Sequence, residues 1–136
     1  MSEAWRTVPT AGAELPLSTQ LLARDPGTGS RTLLVRFPAG FAREALVRYD
    51  VDEDFLVVAG ELMMNGDRFL PGDWVDVPAG TVRGGTRTGT GALAVAWFSG
   101  APVPVLGDGD AKEPVPPLRR RELGERPFRL PSPVER

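Results

Sequence analysis

The chain has 136 residues, a formal net charge of −2 and 41% hydrophobic residues, which is typical of one globular domain. It contains no cysteine and no histidine, which excludes disulfides, thiolate nucleophiles, catalytic triads with histidine and metal sites ligated by either residue. The nearly balanced charge predicts no nucleic-acid partner, and the lack of a long apolar run or signal-peptide pattern predicts a cytoplasmic protein with no membrane partner.

Short segments rich in Val, Leu and Phe predict an all-β fold, because glycine and proline interrupt the chain too often for long helices. In chain order, the predicted strands are 15–24, 30–37, 44–50, 53–60, 61–65, 67–71, 73–78 and 92–100. The "NG" pair at 65–66 predicts a two-residue hairpin between two of them. Eight short strands at this spacing are typical of a small closed barrel or a two-sheet jelly roll.

The composition changes at Ala101, since the last 36 residues hold eight of the 14 prolines. This change predicts a β-barrel domain over 1–100 and a Pro-rich C-terminal arm over 101–136. The arm is either a flexible tail or a segment docked on the barrel or on a partner subunit. The candidate docking residues are Val103, Val105, Leu106, Phe128 and Leu130. Within the arm, "RRR" at 119–121 is interpreted as a solvated segment.

Two stretches in the middle of the chain share a characteristic spacing of glycines and polar residues. They are "GFAREALVRYDVDEDFLVVAG" (40–60) and "GDWVDVPAGTVRGGTR" (72–87). Both spacings resemble the two sequence motifs of the cupin family, and with the upstream segment the chain is most similar to cupin domains of the ChrR type. This resemblance implies a cupin-type double-stranded β-helix, which is a jelly-roll barrel.

The resemblance also assigns the positions of the family's metal ligands, which are two histidines and a glutamate in the first motif and one histidine in the second. Leu46 and Arg48 stand in place of the first two histidines, Glu53 keeps the glutamate, and Arg83 replaces the last histidine. One carboxylate beside two guanidinium cations does not hold a divalent cation. We therefore expect neither a metal nor another cofactor.

Residues two apart on a strand share a face, so Leu46 and Arg48 are predicted to point the same way, into the barrel interior implied by the resemblance. Tyr49 is then predicted to face away. Arg48, Arg83 and Arg87 are predicted to bind an anion, with Glu53 as the internal general acid or base. The expected apolar walls come from Leu46, Phe55, Met63, Trp74 and Trp97. The alternative is an inert Arg48–Glu53 salt bridge, with Arg83 and Arg87 at the mouth.

These residues predict a metal-independent cupin that binds a small organic acid or carbonyl compound. The expected reaction is a proton-transfer isomerisation, dehydration or cyclisation, and the arginine- and glycine-rich composition suggests a role in secondary metabolism. The alternative is a non-catalytic module of the ChrR-like type for ligand sensing or assembly. A homodimer formed through one sheet face is expected in either case.

Overall fold

The computed structural model describes residues 4–107 and 115–122, and these residues form strands and no helix. The strands are β1 (Arg6–Val8), β2 (Leu17–Arg24), β3 (Arg31–Phe37), β4 (Ala42–Arg43), β5 (Val47–Tyr49), β6 (Glu53–Gly60), β7 (Leu62–Met64), β8 (Asp67–Phe69), β9 (Trp74–Val77), β10 (Thr86–Arg87), β11 (Ala92–Phe98), β12 (Pro104–Leu106) and β13 (Arg119–Arg120). The all-β prediction is confirmed, and each of the eight predicted strands overlaps an observed one. In the described part of the chain, no helix is available to cross a lipid bilayer.

The strands of the described residues form three sheets. The largest has seven strands in the order β1-β2-β3-β11-β6-β9-β13, the second has four in the order β4-β10-β7-β8, and β5 pairs with β12 in a two-stranded ribbon. The strand pairs are antiparallel, and the long connections between sequence-distant neighbours such as β3 and β11 give the jelly-roll topology.

The hydrophobic core lies between the seven-stranded and four-stranded sheets. Every second residue of β11 is buried, as the period of a β-strand requires, and these side chains face inward together with Phe55 and Val57 of β6. The opposite wall includes Leu62, Met64 and Phe69, and the ring of Phe69 meets that of Phe55 edge to face at a centroid distance of 5.7 Å. The two sheets therefore close around one interior.

The predicted hairpin at 65–66 joins β7 to β8, with Met64 opposite Asp67. Asn65 and Gly66 both have positive φ, 53° and 78°, which is the backbone of a type I′ turn. The Asn65 side chain also fastens the turn to its surroundings, because its amide nitrogen donates to Val82 O and Pro116 O and its oxygen accepts from Gly84 N.

The described parts of the C-terminal arm pair with the barrel. β12 lies along β5, although the side chains of Val103 and Leu106 are exposed. Farther on, the interpretation of 119–121 as a solvated segment holds for the side chains of Arg119 and Arg120, which are exposed. It does not hold for the backbone of these two residues, which forms an edge strand against β9, or for Arg121, which is partly buried; the preceding Leu118 is buried as well. The reason is a set of carboxylates on the neighbouring strands, described below. Phe128 and Leu130 lie outside the described residues.

Candidate functional site

A cavity of about 260 Å³ lies between the sheets. Its walls are mainly apolar and come from the inward faces of β2, β3, β6, β7 and β11, and its exposed rim includes Val8, Pro9, Ala11 and Pro104. Pockets that are largely apolar with a few polar groups are typical of small-molecule sites. The barrel interior therefore has the form of a ligand site.

Four polar side chains converge on one part of this cavity: Arg43, Tyr49, Glu53 and Arg83. Arg83 Nη1 lies 2.5 Å from Glu53 Oε1, and the Arg83 guanidinium stacks on the Tyr49 ring at 4.5 Å from its centroid. The Tyr49 hydroxyl accepts a hydrogen bond of 3.0 Å from Arg43 Nη1. The cluster thus contains two cations and one carboxyl group: Arg83 contacts Glu53 directly, and Tyr49 joins Arg83 to Arg43.

The cations of this cluster exceed the charge that the described protein groups around them neutralise. Glu53 is the only acidic residue among the described residues that line the cavity, and Arg43 also donates to a neutral group, Ala11 O, at 2.8 Å. Arg43 and Arg83 are 7% and 6% exposed, and the buried Nε of Arg83 has no hydrogen-bond partner among the described residues. A buried donor without a partner is costly, so the site is suited to an anionic ligand.

Burial raises the pKa of the Glu53 carboxyl above its ordinary value of 4.5. The guanidinium of Arg83 lowers this pKa by charge and hydrogen bonding, and Asp54 raises it, but loss of hydration is the dominant cause. A carboxyl group with a raised pKa can exchange a proton nearer to neutral pH than an exposed one, as a general acid or base must.

Three of the predicted site residues, Glu53, Phe55 and Arg83, line the cavity together. Arg48 and Arg87 do not: both are exposed, and neither lies on the cavity wall. The inward orientation predicted for Arg48 is therefore wrong, and so is the alternative in which Arg48 pairs with Glu53. The carboxylate pairs with Arg83 instead.

The register of 41–51 explains this error. In this stretch the odd positions point inward, so Val47 is buried and Tyr49 lines the cavity, whereas the prediction had Tyr49 facing away. The inward positions are apolar or aromatic apart from one arginine, and the even positions include Glu44, Arg48 and Asp50. Simple alternation of apolar and charged residues predicts this register, while the spacing of the family motif places the strand one residue out of phase.

The remaining predicted wall residues also lie outside the cavity lining. Leu46 is half-buried, and its carbonyl accepts from Gly107 N beside β12. Met63 alternates with Leu62 and Met64, which do line the cavity. Trp74 and Trp97 sit on the outer face of the large sheet, where their rings contact each other at 6.4 Å and Trp74 Nε1 donates to Asp54.

Arg43 is the functional candidate that the sequence reasoning missed. It lies on the short strand β4, opposite Thr86, and its guanidinium joins the N-terminal segment at Ala11 to Tyr49. The signal was present in the sequence, because Arg43 is the one charged residue in the odd, inward-facing series of 41–51. A charged side chain at a buried position of an alternating strand indicates a partner or a ligand.

The donor set does not fit the divalent metal that the cupin resemblance implies. Guanidinium groups offer no lone pair, so within the charged cluster the oxygen donors are the carboxylate of Glu53 and the phenol of Tyr49, beside two cations; the cavity lining adds neutral threonine hydroxyls and no second carboxylate. Within 4–107 and 115–122, no group of three or more Asp or Glu side chains lies close enough together to share an ion.

No protein-family model matches the sequence, and no significant match was found among curated proteins. Solved structures are similar in fold. An acetylacetone dioxygenase from Acinetobacter johnsonii superposes with a TM-score of 0.62 at 17% identity, over 74% of this chain and 78% of that one. A cupin 2 conserved barrel domain protein from Rhodopseudomonas palustris superposes with a TM-score of 0.63 at 19% identity, over 76% of this chain and 77% of that one. KdgF from Halomonas sp. superposes with a TM-score of 0.55 at 22% identity, over 72% of this chain and 86% of that one. The chain has the cupin fold, a jelly-roll β-barrel with a ligand-sized cavity.

Proposed function

We propose that this protein binds a small organic acid in the barrel cavity and catalyses a metal-independent proton transfer next to its carbonyl group. The observation that carries the proposal is the buried cluster of two guanidinium groups and one carboxyl group, with one guanidinium nitrogen left unpartnered among the described residues. Bidentate contacts from arginine suit carboxylates and enolates.

The charge balance of the cluster favours a monoanionic substrate. With Glu53 ionised, Arg43, Arg83 and Glu53 sum to one positive charge, which a bound carboxylate neutralises. Glu53 then accepts a proton from the carbon beside the carbonyl: the C–H bond breaks, an O–H bond forms on Glu53, and the electron pair forms an enolate. The enolate charge appears as Glu53 becomes neutral, so the net charge of the site does not change and the negative charge moves from Glu53 to the substrate, beside the two arginines.

Return of the proton from Glu53 to a different carbon completes an isomerisation. In a dehydration, the enolate expels a β-hydroxyl group, which takes the proton from Glu53 and leaves as water. In a cyclisation, the enolate carbon attacks a second carbonyl carbon of the same molecule, and the Glu53 proton goes to the alkoxide that forms. The Tyr49 hydroxyl, fixed by Arg43, is positioned to donate a hydrogen bond to a developing oxyanion in the same part of the cavity. These roles belong to the chain's own groups and need no cofactor.

The test of binding uses isothermal titration with pyruvate and acetate as probes. Arg83→Gln and Arg43→Gln should each weaken binding about tenfold to a hundredfold, since each removes hydrogen bonds to a charged group. Arg48→Gln is the matched control, because it removes an exposed arginine from a neighbouring position and should leave affinity unchanged. Equal losses in all three variants would mean that the cavity arginines are not the anion site.

The test of chemistry follows exchange of α-protons with deuterium by NMR over a panel of 2-keto acids. Glu53→Gln should lower the exchange rate by about a hundredfold to ten-thousandfold while binding persists. A non-catalytic sensing module is the second candidate, favoured by the close Arg83 contact that already engages the Glu53 carboxylate. Binding by wild-type protein without exchange of any panel member would support that candidate over catalysis.

A further inference from the structure

The register of the large sheet orders the cavity wall from a charged end to an apolar one. Glu53 of β6 pairs with Phe98 of β11, the next inward rung pairs Phe55 with Ala96, and the one beyond pairs Val57 with Ala94. Inward side chains on a strand are spaced by roughly 6.8 Å, so Ala96 and Ala94 lie successively farther from the acid.

The cavity beside these rungs exists because β11 presents small side chains there. Ala94 and Ala96 are 2% and 1% exposed and both line the cavity, whereas the flanking strand β3 contributes the larger Leu33 and Val35. Protein interiors are closely packed, and a leucine at either alanine would fill space that the present side chains leave open.

We infer that the ligand's body is apolar and unbranched or flat, extending from its acid group at Arg83 across Ala96 to Ala94, and that these two alanines set its length. This inference rests on the proposed function and names its substrate class: monoanionic acids with a hydrocarbon or aryl tail. A second charge on the tail would lie among mainly apolar walls, and the register places Thr19, a neutral hydroxyl that offers no opposite charge, at the level of Ala94.

The size of the cavity sets a limit on the tail. One water molecule occupies about 30 Å³ of liquid, so 260 Å³ holds roughly nine atoms of that size. An acid with nine non-hydrogen atoms is heptanoate. We therefore expect affinity to rise along the series of linear carboxylates up to about this length and then to stop rising.

Isothermal titration with propanoate to decanoate tests the inference, because these saturated acids bind without reacting. Each added methylene should tighten binding about fourfold until the cavity is full. Hexanoate and succinate form a matched pair with equal numbers of non-hydrogen atoms, and hexanoate should bind the more tightly by at least tenfold. Succinate binding as tightly as hexanoate would overturn the inference.

Ala94→Leu adds three carbon atoms to the wall and should shorten the optimal chain by two to three carbons, while propanoate affinity stays within a factor of two. Val95→Leu is the control, because Val95 alternates with Ala94 and points to the outer face. If the leucine variant does not melt cooperatively, Ala94→Val makes a smaller change of the same kind. An optimum that does not move in a folded Ala94 variant contradicts the assigned length limit.

The outcomes also separate this inference from the proposed function. If propanoate binds in an Arg83-dependent way but longer acids gain no affinity, only the apolar-tail assignment is contradicted. If no carboxylate binds, or if binding is unchanged in Arg83→Gln, both the apolar-tail assignment and the proposed function are contradicted.

Discussion

Glu53 and Asp54 are adjacent carboxylates, both buried on β6, and the strand turns them to opposite faces of the same sheet. Asp54 is fully covered on the outer face, where Trp74 Nε1 donates to it at 2.6 Å and Arg121 contacts both of its oxygens. Glu53 faces the cavity and meets one arginine, whose Nε remains unpartnered among the described residues. A carboxylate whose two oxygens both have protein donors stabilises the fold. A carboxylate whose arginine partner still has an unpartnered N–H group lies in a site that a ligand can complete.

The largest contrast between the two carboxylates should be in turnover. Glu53→Gln removes the proton acceptor and should lower the rate of α-proton exchange by about a hundredfold to ten-thousandfold. Asp54→Asn should change the rate per folded molecule far less, through the minor part that the Asp54 charge has in raising the pKa of Glu53. Both variants are compared by NMR exchange at equal concentrations of folded protein; a comparable rate loss in Asp54→Asn would remove the distinction between the two faces.

For stability, Asp54→Asn rather than Glu53→Gln is the variant with the larger expected effect. Asp54→Asn breaks a buried ion pair and should lower the free energy of unfolding by about 3 kcal/mol, the low end for such a loss, because Arg121 keeps Asp76 at 3.0 Å. Urea denaturation followed by tryptophan fluorescence measures the change. Trp74 and Trp97 lie beside the substitution, so far-UV circular dichroism serves as the second probe. A change below 1 kcal/mol would mean that the outer-face pair contributes little.

The raised pKa of Glu53 predicts a pH dependence with a definite sign. Because the folded-state pKa exceeds the ordinary 4.5, the folded state holds the proton more firmly than the unfolded chain does. The contribution of Glu53 to stability is therefore complete below pH 4.5 and is lost as pH rises through the folded-state pKa.

Unfolding free energies of wild type and Glu53→Gln, measured from pH 4 upward, should show this loss. The difference, wild type minus variant, should fall with rising pH by at most about 1.4 kcal/mol per pH unit. Exchange activity should rise through the same range, since the ionised form is the base. A difference that grows with pH would place the folded-state pKa below 4.5.

The smallest effect is expected at Arg119, the exposed member of the group of ion pairs on the outer face of the large sheet. Arg119 lies 3.3 Å from Asp76 with its side chain 55% exposed, and exposed ion pairs contribute between nothing and about 1 kcal/mol. Arg119→Ala should therefore shift the thermal midpoint by a few degrees at most, and less in high salt. A loss of stability as large as that of Asp54→Asn would show that burial does not explain the difference in strength between these ion pairs.

The sequence was sufficient for the fold and for half of the charged cluster. Alternation and turn residues predicted the main strands, and motif spacing placed Glu53 and Arg83 in the interior. The same spacing misplaced Arg48, because sliding a strand by one residue exchanges its two faces. Alternation over 41–51 marks Arg43 as an inward-facing charge, but the partners of Arg43 and Arg121 lie 6 to 67 positions away along the chain. Which residues become partners depends on pairing between strands, which local patterns do not determine.

Strand β13 also protects a sheet edge. An uncovered edge strand presents unpaired backbone groups on which another chain can add, a common route to aggregation. Here Arg119 and Arg120 pair with β9, and Arg121 N donates to Trp74 O at 2.7 Å. A truncation that removes 115–122 would expose that edge and leave Asp54 without its cation, so any shortened form of this protein should retain the arm through Arg121.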